Sequence, residues 1–394
     1  MFGFVSQTPK LDNTLVYDTY IKMVSPLKRV GEVLEKTLQY FGWRYVALFG
    51  GAAEGSTWDK IDELWTTVEN QLKANFTITT KLKYEMKDPD ALRDNLKHVS
   101  LNARIIILIC SSGDAKSVLL EAERQGLTNG NYVFFIVQQF EVSSYVDTFW
   151  KDTLRSGSNN RSQAYEFVFM IAVTTNGGYT QYDFIKQVFE KLKGHPFYST
   201  ITSEDQVSPY SAYLHDAVIL YALSIKQLLR VGKYIKDGKA LVNQLRGYNK
   251  TRFYGITGLV SIDEFGERYM DYSVYDLQPS GNTSGFIPVL QYDSYRRILS
   301  PTREFAYIRW PDGTPTKDRP NCGFHGELCL TSTSSISVVA LIVTLLATFL
   351  VAVAFVTLLM FQKGKLQRKV DNETWWRINY NNIVIMKDNK VMLL

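Results

Sequence analysis

Three places in the sequence bring together residue types that could do chemistry. The first is Gly50-Gly51-Ala52-Ala53-Glu54-Gly55-Ser56-Thr57, which follows an apolar run and opens a helical pattern. A phosphate loop needs a lysine after its last glycine to reach the phosphates, and Ser56 stands there instead. The dinucleotide pattern G-x-G-x-x-G is absent too, so the segment reads as a strand-to-helix turn facing a cleft. The second place is His215-Asp216, inside the amphipathic run SAYLHDAVILYA. Neighbours on a helix do not face each other, so the pair reads as structural or cleft-lining rather than catalytic. The third is Cys322, His325 and Cys329. Zinc needs a second pair of ligands, which does not follow. A local disulfide is the better reading if this side of the protein is oxidising. The four histidines are scattered, and neither a zinc helix motif nor a serine elbow appears. No constellation for catalysis emerges, and no metal or cofactor is expected in this chain.

The elements around these residues alternate. Leu27, Val30, Val33, Leu34, Leu38 and Phe41 repeat at helical spacing after Ser25-Pro26, an N-cap signal, and Gly42 ends that helix. Arg44 to Phe49 is a short apolar strand. Thr57 to Lys73 is helical, Phe76 to Tyr84 extended, Pro89 to His98 helical. Arg104 to Cys110 is a buried strand, Asp114 to Gln125 a helix and Tyr132 to Val137 another buried strand. Cys110 is expected as a buried free thiol. Strands alternating with helices predict a parallel sheet covered on both faces, so the fold class is α/β. Helices are expected at Tyr179 to Lys193, Tyr210 to Val231 and Gly238 to Leu245. GLVSID and YMDYSVYDL read as a hairpin closed at Glu264 to Glu267, and Phe286 to Tyr292 as a further strand. Residues 160 to 250 show helices but few strands, like the outer layer of a second lobe whose sheet lies elsewhere. The apolar faces of those helices are expected to be left uncovered.

The 394 residues are 45% apolar and 21% charged, the balance of a globular protein. Lys and Arg number 44 against 39 Asp and Glu, a surplus too small to predict a nucleic-acid partner. Ile336 to Phe361 has no charge, Pro or Gly over 26 residues. As a helix it spans about 39 Å, against roughly 30 Å of hydrocarbon, which predicts a transmembrane helix with some tilt. Lys363, Lys365, Arg368 and Lys369 follow at once, while Glu327 is the nearest charge before it. The positive-inside rule then makes the C-terminal flank cytoplasmic and the large N-terminal part extracellular. Sequons at Asn75, Asn160, Asn249 and Asn282 are candidate glycosylation sites on that outer part. Asn372 matches as well, but falls on the inner side. MFGFVSQTPK lacks the basic start and apolar core of a secretory signal, so a truncated N-terminus or another insertion route is expected.

Several stretches resemble the natriuretic-peptide receptors and other receptor guanylate cyclases. They are Ile109-CSSGDAKSVLLEAERQGLTNGNYVFF, Tyr254-GITGLVSIDEFGERYMDYSVYDL, the juxtamembrane RWPDGTPTKDRPNCGFHGELC and, after the membrane, Trp375-Trp-Arg-Ile-Asn-Tyr-Asn-Asn-Ile. The last resembles the start of a kinase-homology region. The resemblance implies a periplasmic-binding-protein-like (type I), two-lobed ligand-binding domain with one lobe incomplete, followed by a single transmembrane helix. It also implies a homodimer and an extracellular ligand, either peptide or small molecule. Residues 1–300 are then the partial ligand-binding domain, with 20–150 and 254–300 as the membrane-proximal lobe and 151–253 as a remnant of the distal lobe. Residues 301–335 are a juxtamembrane stalk, 336–361 the transmembrane helix and 362–394 a cytoplasmic stub. The chain is expected at the plasma membrane as a single-pass type I protein. It departs from the family in lacking half of the distal lobe, in a shorter loop between Cys322 and Cys329, and in having only 33 residues after Phe361, so that kinase-homology and cyclase domains are expected to be absent. A clearance or decoy receptor is the alternative.

In open parallel sheets, ligands sit beyond the carboxyl ends of the strands. Those ends are Gly50-Gly51, Ser111-Ser112 and Gln138-Gln139-Phe140-Glu141. They are the expected cleft, with Phe140 as an apolar anchor and Glu141 as a partner for a basic ligand group.

Overall fold

Unbroken apolar runs become strands buried on both faces, and amphipathic runs become the helices that cover them. A short β1 (Phe2–Gly3) pairs in parallel with β2 (Ile21–Lys22). Then α1 (Leu27–Phe41), β3 (Tyr45–Gly50), α2 (Ile61–Leu72), β4 (Thr77–Lys83), α3 (Pro89–Asn102), β5 (Ile105–Ile109), α4 (Ser112–Arg124) and β6 (Val133–Val137) alternate, followed by β7 (Val168–Val173). Three helices come next, α5 (Tyr179–Lys193), α6 (Tyr210–Arg230) and α7 (Gly238–Leu245). The strands β8 (Arg252–Gly255), β9 (Gly258–Ser261), β10 (Tyr272–Ser280), β11 (Thr283–Asp293) and β12 (Ile298–Pro301) follow. The computed structural model describes residues 1–5, 8–51, 61–83, 88–137, 163–174, 179–208, 210–247, 250–280, 283–311, 313–329, 333–373, 376–377, 383–385 and 391–393. They form two units, Met1–Pro320 and Asn321–Leu394.

The first unit is built on an eight-stranded sheet in the order β12-β11-β10-β7-β6-β5-β3-β4. The strands from β4 to β7 run parallel, and β10, β11 and β12 continue the sheet antiparallel. Side chains alternate across it. Ile105, Ile107 and Ile109 join one core with Leu34 and Leu38 of α1 and Leu64 and Val68 of α2. Ile106 and Leu108 join the other with Leu96 of α3 and Val118 and Leu119 of α4. A third cluster gathers Leu220 and Leu228 of α6 and Leu241, Val242 and Leu245 of α7 around Ile21, Met23, Val260 and Ile262. Leu214, Val218, Tyr221 and Leu229 of α6 remain exposed beside this cluster.

The structure departs from the sequence reading in three places. Val168–Val173 lies within the stretch assigned to the distal-lobe remnant, yet β7 is a central strand of the main sheet, between β6 and β10. GLVSID and YMDYSVYDL do not form a full hairpin. β9 pairs with β8, and β10 pairs with β7 and β11. An Ile262–Arg268 bridge and the bonds from Asp263 N to Glu267 O (2.8 Å) and from Tyr269 N to Ser261 O (3.0 Å) close the turn without extending it into a ladder. An alternating strand does not encode which edge it joins, and Tyr272 and Val274 gain more by entering the main core.

The third departure concerns residues 303–311 and 313–319, part of the 301–335 stretch expected as a juxtamembrane stalk. They are packed against the amino ends of the parallel strands. Phe305 meets Tyr40 at 5.4 Å between ring centroids, and Trp310 meets Phe41 (5.7 Å), Trp43 (6.3 Å) and Phe169 (5.9 Å). Trp43 Nε1 donates to Thr316 O at 2.6 Å, and Thr316 Oγ1 donates to Gly130 O at 2.6 Å. The Asp318 carboxylate accepts the amides of Arg44 (2.6 Å) and Tyr45 (3.0 Å). Gly130 has φ 83° and lies against Pro311, leaving no room for a Cβ. Aromatic burial outweighs the freedom of a Pro-rich chain here.

The second unit holds the Cys322–Cys329 disulfide, α8 (Thr333–Glu373) and a hairpin of β13 (Ile383–Ile385) and β14 (Val391–Leu393). The expected span Ile336 to Phe361 lies inside α8, and Val338–Lys369 is long and apolar enough to cross a membrane. The helix does not stop at Phe361 but continues through the basic flank to Glu373.

Two expectations follow. Trp310→Ala should lower unfolding stability by about 2 kcal/mol, less than the roughly 3–5 for a fully buried Trp because Trp310 is half-buried. Limited trypsin digestion should then cut at Arg309 and Lys317 in the variant while sparing the parent. The second concerns Asp276, buried on β10, where burial pushes its carboxyl up to about 7 against the partial relief of Gln278. An acid whose folded pKa exceeds its unfolded value keeps its proton in the fold while the unfolded chain releases it. Its contribution is therefore lost as pH rises from about 4 to about 7 and is level above that. Asp276→Asn should raise the melting temperature at pH 8 and change it little at pH 4.

Candidate functional site

The β3–β5 register brings the first two expected cleft segments together. Gly50 sits opposite Ile109, and Gly51 N donates to Ile109 O at 3.2 Å. A Cβ on Gly50 would overlap the Ile109 carbonyl, so glycine is what lets the strand ends close up. Ser111 follows as the N-cap of α4. Its hydroxyl accepts from Asp114 N (3.2 Å) and donates to Asp114 Oδ2 (2.6 Å), so both capacities are used within the helix start. Ser112 is the first residue of α4. Gln138, Gln139, Phe140 and Glu141 lie outside the described residues, as do Gly55 and Ser56. Cys110, just below this surface, is free and buried, and burial pushes its thiol up, away from thiolate chemistry.

His215 and Asp216 do meet, with Nδ1 3.1 Å from Oδ1, contrary to the expectation for adjacent helical residues. The Asp216 carboxylate is fully buried and already accepts Ile256 N (2.9 Å), Thr257 N (2.9 Å) and Thr257 Oγ1 (2.5 Å). Arg268 completes the knot by donating to Thr257 Oγ1 (2.6 Å) and Leu259 O (2.9 Å). These groups tie α6 to the β8–β9 turn, which leaves the structural reading of the pair.

Asn75 is exposed, and its Nδ2 donates to Glu35 Oε1 at 2.9 Å, alongside Gln39 and Gln71 on the same carboxylate. Asn160, Asn249 and Asn282 lie outside the described residues. Cys322 and Cys329 are joined, with α-carbons 4.9 Å apart. Among the described residues no cluster of three or more His, Cys, Asp or Glu is arranged to hold a metal.

Sequence reasoning missed a charged cavity of about 490 Å³, lined among others by Lys28, Arg29, Glu32, Asp263, Glu267 and Arg297. Its charges largely pair with each other, Arg29 with Glu32 and Lys28 with Glu267 at 2.7 Å each. Lining drawn from residues 28 to 297 gives no local pattern to read. It missed the packed strap at 303–319 as well, whose signal was the pair Phe305 and Trp310 set among prolines.

The profile of the receptor family ligand-binding region matches residues 1–280. The chain belongs to that family. Members of the receptor family with similar sequences include guanylate cyclase 2G of Rattus norvegicus, 42% identical over 99% of this chain and 36% of the relative. The protein of the same name from Mus musculus is 40% identical over the same shares. Atrial natriuretic peptide receptor 3 of Homo sapiens is 35% identical over 48% of this chain and 34% of its own length. The chain thus spans about a third of the length of these curated relatives. The ligand-binding-region family accounts for the mixed α/β sheet, and the receptor-cyclase likeness extends past it through α8.

Ser111→Ala separates capping from ligand contact at this surface. Losing the cap should cost about 1 kcal/mol of stability in denaturant unfolding. A change in ligand affinity with an unaltered unfolding midpoint would give Ser111 to the ligand instead.

Proposed function

We propose that this chain is the ligand-binding and transmembrane portion of a cell-surface receptor guanylate cyclase, signalling to cyclic GMP in the intact protein. The observation that carries the reading is the succession in one chain of a receptor ligand-binding region, a juxtamembrane disulfide and an exposed apolar helix. In this reading the N-terminal part lies outside the plasma membrane as the domain of a type I, single-pass protein. Residues 20–150 and 254–300, with β7 between them in the sheet, form the membrane-proximal lobe of a two-lobed, homodimeric domain. Gly50, Gly51, Ser111, Ser112, Gln138, Gln139, Phe140 and Glu141 line the cleft for a peptide or small molecule. Asn75, Asn160, Asn249 and Asn282 carry glycans. A clearance or decoy receptor is the second reading, supported by the likeness to atrial natriuretic peptide receptor 3. The cyclase reading is favoured because the similarity to guanylate cyclase 2G covers 99% of the chain, including Trp375-Trp376 beyond the apolar helix.

The disulfide closes a small loop directly before α8. A rigid knot there transmits rotation where a flexible tether absorbs it. The test joins this chain to the cytoplasmic region of the rat relative and measures cyclic GMP in intact cells. The parent should make cyclic GMP, and the double variant Cys322→Ser, Cys329→Ser should raise or abolish that output several-fold. Unchanged output, with mass spectrometry finding the bond in the parent, would sink the coupling role. A parent that reaches the surface, proves sensitive to glycosidase and yet makes no cyclic GMP would favour the decoy.

A further inference from the structure

The basic residues after Phe361 do more than orient the helix. α8 runs unbroken from Thr333 to Glu373, and Lys363 to Lys369 are exposed on it. Lys365, Arg368 and Lys369 stand at i, i+3 and i+4, so they share one face of the helix. No Asp or Glu occurs between Glu327 and Asp371, and the carboxylates that follow on that face, Asp371 (i+3 from Arg368) and Glu373 (i+4 from Lys369), stand on the side away from the apolar span. These three residues begin about 6 Å and end about 12 Å beyond Phe361 along the helix axis. The headgroup layer is about 5–8 Å deep on each side, given roughly 40–45 Å of bilayer around 30 Å of hydrocarbon, so these backbones stand at its outer edge and just past it, within reach of long side chains that turn back.

Side chains on a helix lean toward its N-terminus, which here is the direction of the apolar span. Lys365 shows it, its Nζ turned back to 5.5 Å from the Phe361 ring centroid. Long basic side chains so placed reach phosphate oxygens at the interface while their stems stay on apolar surface. We infer that Lys365, Arg368 and Lys369 form a binding face for the phosphate-bearing headgroups of anionic lipids in the inner leaflet. The inference rests on the single-pass reading above. It adds a ligand class that charge bias alone does not require, because the positive-inside rule counts cations in any arrangement. A tightly held ring of anionic lipid would fix the depth and rotation of the helix.

The test uses the full chain in phosphatidylcholine nanodiscs, with a donor fluorophore on Asn372→Cys. Acceptor-labelled phosphatidylserine or acceptor-labelled phosphatidylcholine is added at equal mole fraction. Energy transfer to phosphatidylserine should exceed that to phosphatidylcholine about twofold at low salt, and the excess should shrink as KCl screens it. The triple variant K365Q/R368Q/K369Q should bring the ratio to about one. A ratio near one in the parent, or an excess that survives in the triple variant, overturns the proposal. Loss of the excess on adding inorganic phosphate at constant ionic strength also overturns it, by showing a general anion site. Alkaline carbonate extraction distinguishes the two levels of failure. Release of the chain removes the single-pass reading and the proposal with it, whereas a retained chain with a ratio near one removes the lipid face alone.

Discussion

The first unit depends on burying β5 from both sides. Ile105, Ile106, Ile107 and Ile109 have no exposed surface and Leu108 has 1%. A strand with that composition cannot face water on either side, so it requires α1 and α2 over one face and α3 and α4 over the other. It also requires neighbours along both edges, since unpaired backbone groups in such a setting are costly. β3 and β6 supply them. The close approach of Gly50 to Ile109, the capping of α4 by Ser111 and the burial of Cys110 all follow from holding β5 at the centre. The candidate binding surface is thus a by-product of how the central strands end.

The local parts of this arrangement were legible in the sequence. α5 and α7 fall where the apolar spacing placed them, and α7 starts at a cap that can be named, Asp237 accepting from Ala240 N. The ends of β3 and β5 were legible because each apolar run stops at Gly or Ser. The pairing of distant strands was not. β7 and β10 lie about a hundred residues apart, and nothing in VFMIAV or YSVYDL specifies that Ile171 should sit opposite Val274. The strap was hidden for a related reason. Proline-rich composition signals an extended chain, but whether that chain is free or docked depends on Phe41, Trp43 and Phe169 waiting at the other end of the contact.

The two ends of the sheet therefore do different work. At the carboxyl ends the backbone closes up through glycine and leaves short polar residues at the surface. At the amino ends an aromatic cluster and the Asp318 carboxylate bind the strap. β3 joins the two, carrying Gly50 at one end and Tyr45 at the other. A strand six residues long, flanked on both edges by parallel partners, behaves as a rod on this scale.

That placement decides how the domain meets mechanical tension. A load arriving along the chain at Pro320 enters through Arg319, whose guanidinium lies 4.9 Å from the Tyr45 ring centroid, and through Asp318, bonded to the first amides of β3. A pull on the chain is therefore first met by a strand held on both sides, one in from the β4 edge, by its ladders to β4 and β5. Had the chain left the fold at the outer edge of β12, the same load would have met a strand held on one side only.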